Sequence, residues 1–380
     1  MSLASAVTNG RPPTDTLIGA GAAAFEGLLL LWLARILFQR ARGGVLAPER
    51  DLDAGIPRGA GAGLGALAIA AGALTTLATS AWISALLLPL LTVVAVAAPL
   101  VELCGVGVRG IPLGPRWRAG AMLGLGMTMV PFVIIVLEAI ILAAFVVAAA
   151  VWLSTQPAAV RMLFELQAAI ERESDLAVIA ELVTPWVFKP AVFASMLAYV
   201  AVFVPSVEEL LKPLGVWLFA RSIQSPRQGF AMGALCGAAY ALVESLGVSA
   251  RGGMEWTLAV GVRVATGLLH VTNSALMGWA IVSAIQDRKL ARLAATFALV
   301  TLIHAIWNAS AVGVAVSMLG GAVARPAWLP NLAAAGSAAL IILLAGMFML
   351  LRASNSRLLR PAIGTSVSPA DAAARPPDRT

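Results

Sequence analysis

Cysteine, histidine, tyrosine and lysine are all scarce in this 380-residue chain. The two cysteines, Cys104 and Cys236, stand far apart, which excludes a disulfide framework, a CxxC pair and a thiolate metal site. Charged residues make up 12% of the sequence against 60% hydrophobic, with a mean hydropathy of +0.91. That balance excludes a soluble globule and marks a polytopic membrane protein. The formal charge of +7 does not signal nucleic-acid binding, because most arginines sit in short clusters between apolar stretches, where they encode topology. The opening MSLASAVTNGRPPTDT carries one arginine, and the apolar run after it has no clear cleavage site. It makes a poor signal peptide, so that run is expected to stay as a helix. No internal repeat relates the two halves.

What is present is a series of apolar stretches, each long enough for a bilayer core that needs about 20 residues. Nine spans are expected, at roughly 17–38, 60–80, 84–103, 119–152, 188–221, 229–249, 257–284, 292–317 and 328–351. The fold class is therefore all-α, a polytopic transmembrane helix bundle. Pro131 is a candidate kink in the fourth span. Pro205 and Pro213 bracket an acidic pair in the fifth, which also reads as two short helices or a re-entrant element. Placing the arginine clusters on the cytoplasmic side puts the N-terminus outside and the C-terminus inside. The chain then divides into a polar N-terminal tail (1–16), a four-helix membrane region (17–153) and an extracytoplasmic loop (154–187). A membrane core (188–317), a last loop and span (318–352) and a disordered cytoplasmic tail (353–380) follow. Within the loop, 159–183 is a candidate amphipathic helix on the outer surface, rich in Glu165, Glu171, Glu173, Asp175 and Glu181.

Ionisable groups at membrane depth cost about 2.5–3.5 kcal/mol each on insertion scales and point to a polar site. The core segment concentrates them. Glu208 and Lys212 are spaced i,i+4 and Glu209 and Lys212 i,i+3, so either pair can meet on one helix face. Like-charged carboxylates beside one ammonium suit a general base that must also pass on a proton. The competing reading is an interfacial ion pair. Tyr240 and Glu244 are again i,i+4, and Glu244 could equally make one structural hydrogen bond. The only two histidines, His270 and His304, sit mid-span, with Asn273 and Asn308 one turn on. Either can be a structural core histidine, or an asparagine can orient its ring or donate to an oxyanion. Glu26, Glu102 and Glu138 are weaker candidates; Glu138 sits deep enough to line the same cavity.

Taken in order, Glu208-Glu209-x-x-Lys212, Tyr240-x-x-x-Glu244, His270 and His304-x-x-Trp307-Asn308 resemble the PrsW family of intramembrane proteases, itself similar to the CAAX-processing and Abi membrane proteases. The likeness covers about 205–310, with tyrosine where the family has phenylalanine in the second motif. It implies an intramembrane endopeptidase in which Glu208 activates a water, while Glu209 and Lys212 tune its charge and position. Glu244 and His270 would hold that water or a metal, and His304 and Asn308 would stabilise the oxyanion. It also implies a metal set of Glu244, His270 and His304, with zinc as the candidate ion, alongside a metal-free glutamate mechanism. No HExxH spacing is present to demand zinc. By the same resemblance, the partners are the lipid bilayer and a single-span membrane-protein substrate such as an anti-sigma factor, and the location is the bacterial plasma membrane. Two other function classes fit intramembrane Glu, Lys and His. One is a proton-coupled transporter, which the absence of a repeat disfavours; the other is a non-catalytic scaffold for transmembrane helices.

Overall fold

The computed structural model describes residues 14–43, 59–76, 81–172, 182–183, 185–249, 254–317 and 329–360. Among them the chain is helical, without strands. The helices are α1 (Thr14–Ala41), α2 (Ala60–Thr76), α3 (Ala81–Val108), α4 (Arg116–Met127), α5 (Met129–Ser154), α6 (Pro157–Glu171) and α7 (Pro190–Ala198). A π-helical turn (Tyr199–Phe203) then leads into α8 (Val204–Leu211), α9 (Leu214–Phe219), α10 (Pro226–Val248), α11 (Met254–Asp287), α12 (Leu290–Ser317) and α13 (Leu329–Leu359).

Eight of the described segments are long and apolar enough to cross a membrane, counting α4–α5 as one and α7–α9 as another. The expected second span, 60–80, corresponds to α2, a helix of 17 residues whose length falls slightly short of a full crossing; residues 77–80 lie outside the described part. At the far end, α13 runs on to Leu359, into the segment expected as tail, and residues 361–380 lie outside the described part. Of the expected surface helix at 159–183, α6 accounts for Pro157–Glu171, and residues 173–181 lie outside the described part.

Prolines set the breaks. Pro131 cannot donate to the Met127 carbonyl, and the ladder gives way just ahead of it at Thr128, at φ −122 and ψ −75. The Thr128 hydroxyl donates to the Gly124 carbonyl at 2.7 Å. Pro205 acts in the same way on the turn before it. The Val204 N–H reaches back to the Tyr199 carbonyl, an i→i+5 bond that opens the helix into the π turn. The Val200 carbonyl would then face the nitrogen of Pro205, which has no hydrogen to give. It instead accepts from the Asn308 side-chain amide at 2.9 Å. Pro213 ends α8 after Leu211. The acidic pair therefore occupies an eight-residue helix isolated between two prolines.

The core of the bundle is the pair α10 and α11, the most buried of the spans. Gly229, Gly233 and Gly237 recur every four residues along α10, and a Cβ on Gly233 or Gly237 would collide with the backbone carbonyl of Ser274 or His270 on α11. Small residues at this spacing let two membrane helices approach backbone to backbone. The consequence for the site is register: Gly237 opposite His270 brings Tyr240 and Glu244, one and two turns on, to the histidine's face. Outside this pair, α3 closes on both helices. Trp256 of α11 donates its indole N–H to the Thr92 hydroxyl at 2.8 Å. The outer surfaces of α5 and α13 leave Phe132, Ile135, Ile341 and Ile342 bare, as helices facing lipid do.

Candidate active site

Glu208 and Glu209 on α8, Lys212 just after it, Glu244 on α10, His270 on α11 and His304 on α12 converge on one buried network. Glu209, Lys212, His270 and His304 are each at most 2% exposed. Charges so deep must be paired to persist. The Lys212 ammonium makes three contacts: Glu208 Oε2 at 2.5 Å, Glu209 Oε1 at 3.1 Å and His270 Nδ1 at 2.7 Å. Its nitrogen also lies 4.9 Å above the Tyr240 ring, a cation–π distance.

Those contacts fix the ring chemistry. An ammonium can only donate, so His270 Nδ1 must be the acceptor and Nε2 carries the hydrogen. Nε2 accordingly donates to Glu244 Oε2 at 2.7 Å. Tyr240 supports the ring edge-on, with centroids 5.3 Å apart and planes at 89°. His304 is arranged differently. Its Nδ1 lies 2.7 Å from Glu209 Oε1, a carboxylate oxygen that can only accept, so Nδ1 bears a hydrogen, and in the neutral ring Nε2 presents a lone pair. That Nε2 faces Glu208 Oε2 at 3.9 Å. As neutral rings the two histidines thus hold opposite tautomers, each oriented by a carboxylate.

The structure brings together six of the seven residues singled out by sequence. The seventh, Asn308, lies one turn beyond His304 and is tied to the Val200 carbonyl of the π turn, which attaches α12 to the segment that leads into Glu208. Asn273 does not orient His270; it donates to the Val300 carbonyl of α12 at 3.1 Å. Of the weaker acids, Glu102 accepts from the Gly59 and Gly61 amides at 3.1 and 3.3 Å and so caps the start of α2. Glu138 keeps one buried carboxylate oxygen without a hydrogen-bond partner. One charged residue of the network went unread in the sequence: Arg263 on α11 forms an ion pair with Glu244 Oε2. Its sequence signal is a single arginine inside an apolar span, seven residues before His270 and therefore on the same helix face.

For a metal, the grouping that emerges is Glu208, Glu209 and His304, which can each turn one ligand atom to within 4.8 Å of the others. The expected set of Glu244, His270 and His304 shares only His304 with it. Both nitrogens of His270 are engaged, one by Lys212 and the other by Glu244. Glu209 Oε2 is buried without a hydrogen-bond partner, and Glu208 Oε2 is buried against the Lys212 ammonium. Two carboxylates and a lone-pair imidazole nitrogen fit a divalent cation with an open position. Glu208, Glu209 and Glu244 against Lys212 and Arg263 leave one excess negative charge for a cation or proton to offset.

A model of the PrsW family of intramembrane metalloproteases matches residues 114–345, from the loop before α4 into α13. No curated protein matches the chain. No solved structure matches it either.

Proposed function

The chain belongs to the PrsW family of intramembrane metalloproteases, and from that premise we propose that Glu208 is the base that activates water for hydrolysis of a peptide bond in a membrane-protein substrate. The observation that carries this reading is the buried Glu208–Glu209–His304 group, with carboxylate oxygens and an imidazole lone pair turned toward one another.

In the reaction, Glu208 takes a proton from water as its oxygen bonds to the substrate carbonyl carbon. The same carboxyl returns that proton to the amide nitrogen as the C–N bond breaks. Lys212 holds Glu208 by Oε2, leaving Oε1 to face the water. Glu209 fixes the His304 ring through Nδ1, so that Nε2 stays aimed at the reaction site. Glu244 fixes His270 in the same manner, and His270 in turn supports the Lys212 ammonium. Asn308 has an amide hydrogen left beyond its bond to Val200, and we assign that donor to the developing oxyanion. Glu208, Glu209 and His304 are the residues that would hold a divalent cation, zinc by donor type, and such an ion would polarise the carbonyl and acidify water. The substrate we assign is a single-span protein of the bacterial plasma membrane, of which an anti-sigma factor is the type the family suggests.

The test is co-expression with a panel of single-span reporter proteins. Wild type should cleave at least one reporter. Glu208→Gln, which keeps size and hydrogen bonding but cannot take a proton, should lower cleavage by at least a hundredfold with unchanged membrane levels. Equal cleavage by the variant would sink the assignment of Glu208.

A further inference from the structure

We infer that Arg263, which lies outside all four motifs, is a positioning residue for this hydrolysis, acting through Glu244 and His270 on the Lys212 ammonium. The inference rests on the protease reading above and concerns the same site.

Glu244 Oε2 receives two donors from one face of α11: the Arg263 guanidinium and, two turns further along, His270 Nε2. The Arg263 side chain is 12% exposed and that of Glu244 29%, so the pair closes the outer edge of an otherwise dry network. Arg263 is braced in turn, its Nε donating to the Ser245 hydroxyl at 3.4 Å, next to Glu244 on α10. From Glu244 the network runs inward through His270 to Lys212 at 2.7 Å, and from Lys212 to Glu208 at 2.5 Å.

The guanidinium does something His270 cannot do alone. It offsets the charge of Glu244 and anchors that carboxylate beside the ring, so that His270 Nε2 has a fixed acceptor. Without Arg263, Glu244 is a poorly compensated carboxylate at the more exposed edge of the network, free to turn outward. His270 then loses the acceptor that sets its ring, and with it the orientation that presents Nδ1 to Lys212. Lys212 is no longer held in the position from which it meets Glu208 and Glu209. Arg263 touches neither water nor substrate in this scheme; its effect on the reaction is transmitted through three side chains.

The test uses the full chain in the reporter assay, with wild type and Glu208→Gln as references. Arg263→Met should lower kcat at least tenfold with KM within twofold of wild type. Arg263→Lys, which retains a positive charge, should stay within about threefold. Pairing Arg263→Met with Glu244→Gln should restore most of the lost kcat, because the glutamine carbonyl can still accept from His270 Nε2 and no buried charge is left over. This rescue is the decisive arm, since a packing role for Arg263 would make the double variant worse than either single one. Wild-type kcat in Arg263→Met, or a double variant no better than Arg263→Met, overturns the inference and leaves the protease reading intact. Failure of wild type to cleave any reporter overturns both.

Discussion

Lys212 is the residue on which the buried charges depend. It stands between two adjacent carboxylates and a histidine acceptor at zero exposure. Removing one partner from a buried ionic network leaves charge uncompensated, which costs about 3–5 kcal/mol. Lys212→Met should therefore lower stability by about that amount and abolish cleavage, as read from chemical or thermal unfolding in detergent alongside the reporter assay. Unchanged stability would mean that the carboxylates are compensated by something other than this ammonium. At this scale the sequence was informative about residue type and membrane depth. Six titratable residues could be chosen because charge inside an apolar run is expensive wherever it sits, and Asn308 through its place one turn beyond His304. Pairing within α8 and its end was legible from spacing, but pairing between helices was not: nothing local connects Glu209 with His304 across 95 positions. Arg263 was passed over for a related reason, because its partner Glu244 lies on another helix. Which histidine nitrogens stay open for a metal was not legible either, because that depends on which atoms meet after folding.

The elements carry the site by breaking in the right places. Asn308 donates to the Val200 carbonyl that the π turn and Pro205 leave without a backbone partner. Deleting that amide should strand a partly buried carbonyl, a loss of about 1 kcal/mol, the low end for an unpaired buried group. Asn308→Ala should accordingly destabilise the protein by that amount and also reduce cleavage, because α8 and its acidic pair follow directly from the π turn. Full activity with wild-type stability would separate Asn308 from both tasks. On α10, Gly233→Val should disrupt the α10–α11 contact, since its side chain would meet the Ser274 carbonyl; a marked loss of thermal stability in detergent is expected. The spans were legible because each is a run of apolar residues of bilayer length, and the prolines announced where helices would yield. The π turn was not legible. It arises from a choice between two hydrogen bonds for the Val204 N–H, a matter of geometry rather than composition. The glycine repeat on α10 was available in the sequence as a helix-contact signal but shows its meaning only with α11 opposite.

For the whole molecule, residues 114–345 match the family and α1–α3 lie before that region, yet α3 packs against both core helices. The family core thus has a partner from the preceding region, joined through Trp256 and Thr92. Overall class was clear from composition alone, whereas the closeness of one short helix, α2, to the length of a span made the count harder to read than the class. The central claim, that the buried glutamate pair hydrolyses a peptide bond at membrane depth, is tested most directly with purified protein in lipid vesicles. A cleaved single-span reporter would be mapped by mass spectrometry for wild type and Glu208→Gln. The account predicts a cut within or next to the reporter's span by wild type and intact reporter with the variant. The same cut made at the same rate by Glu208→Gln would contradict it.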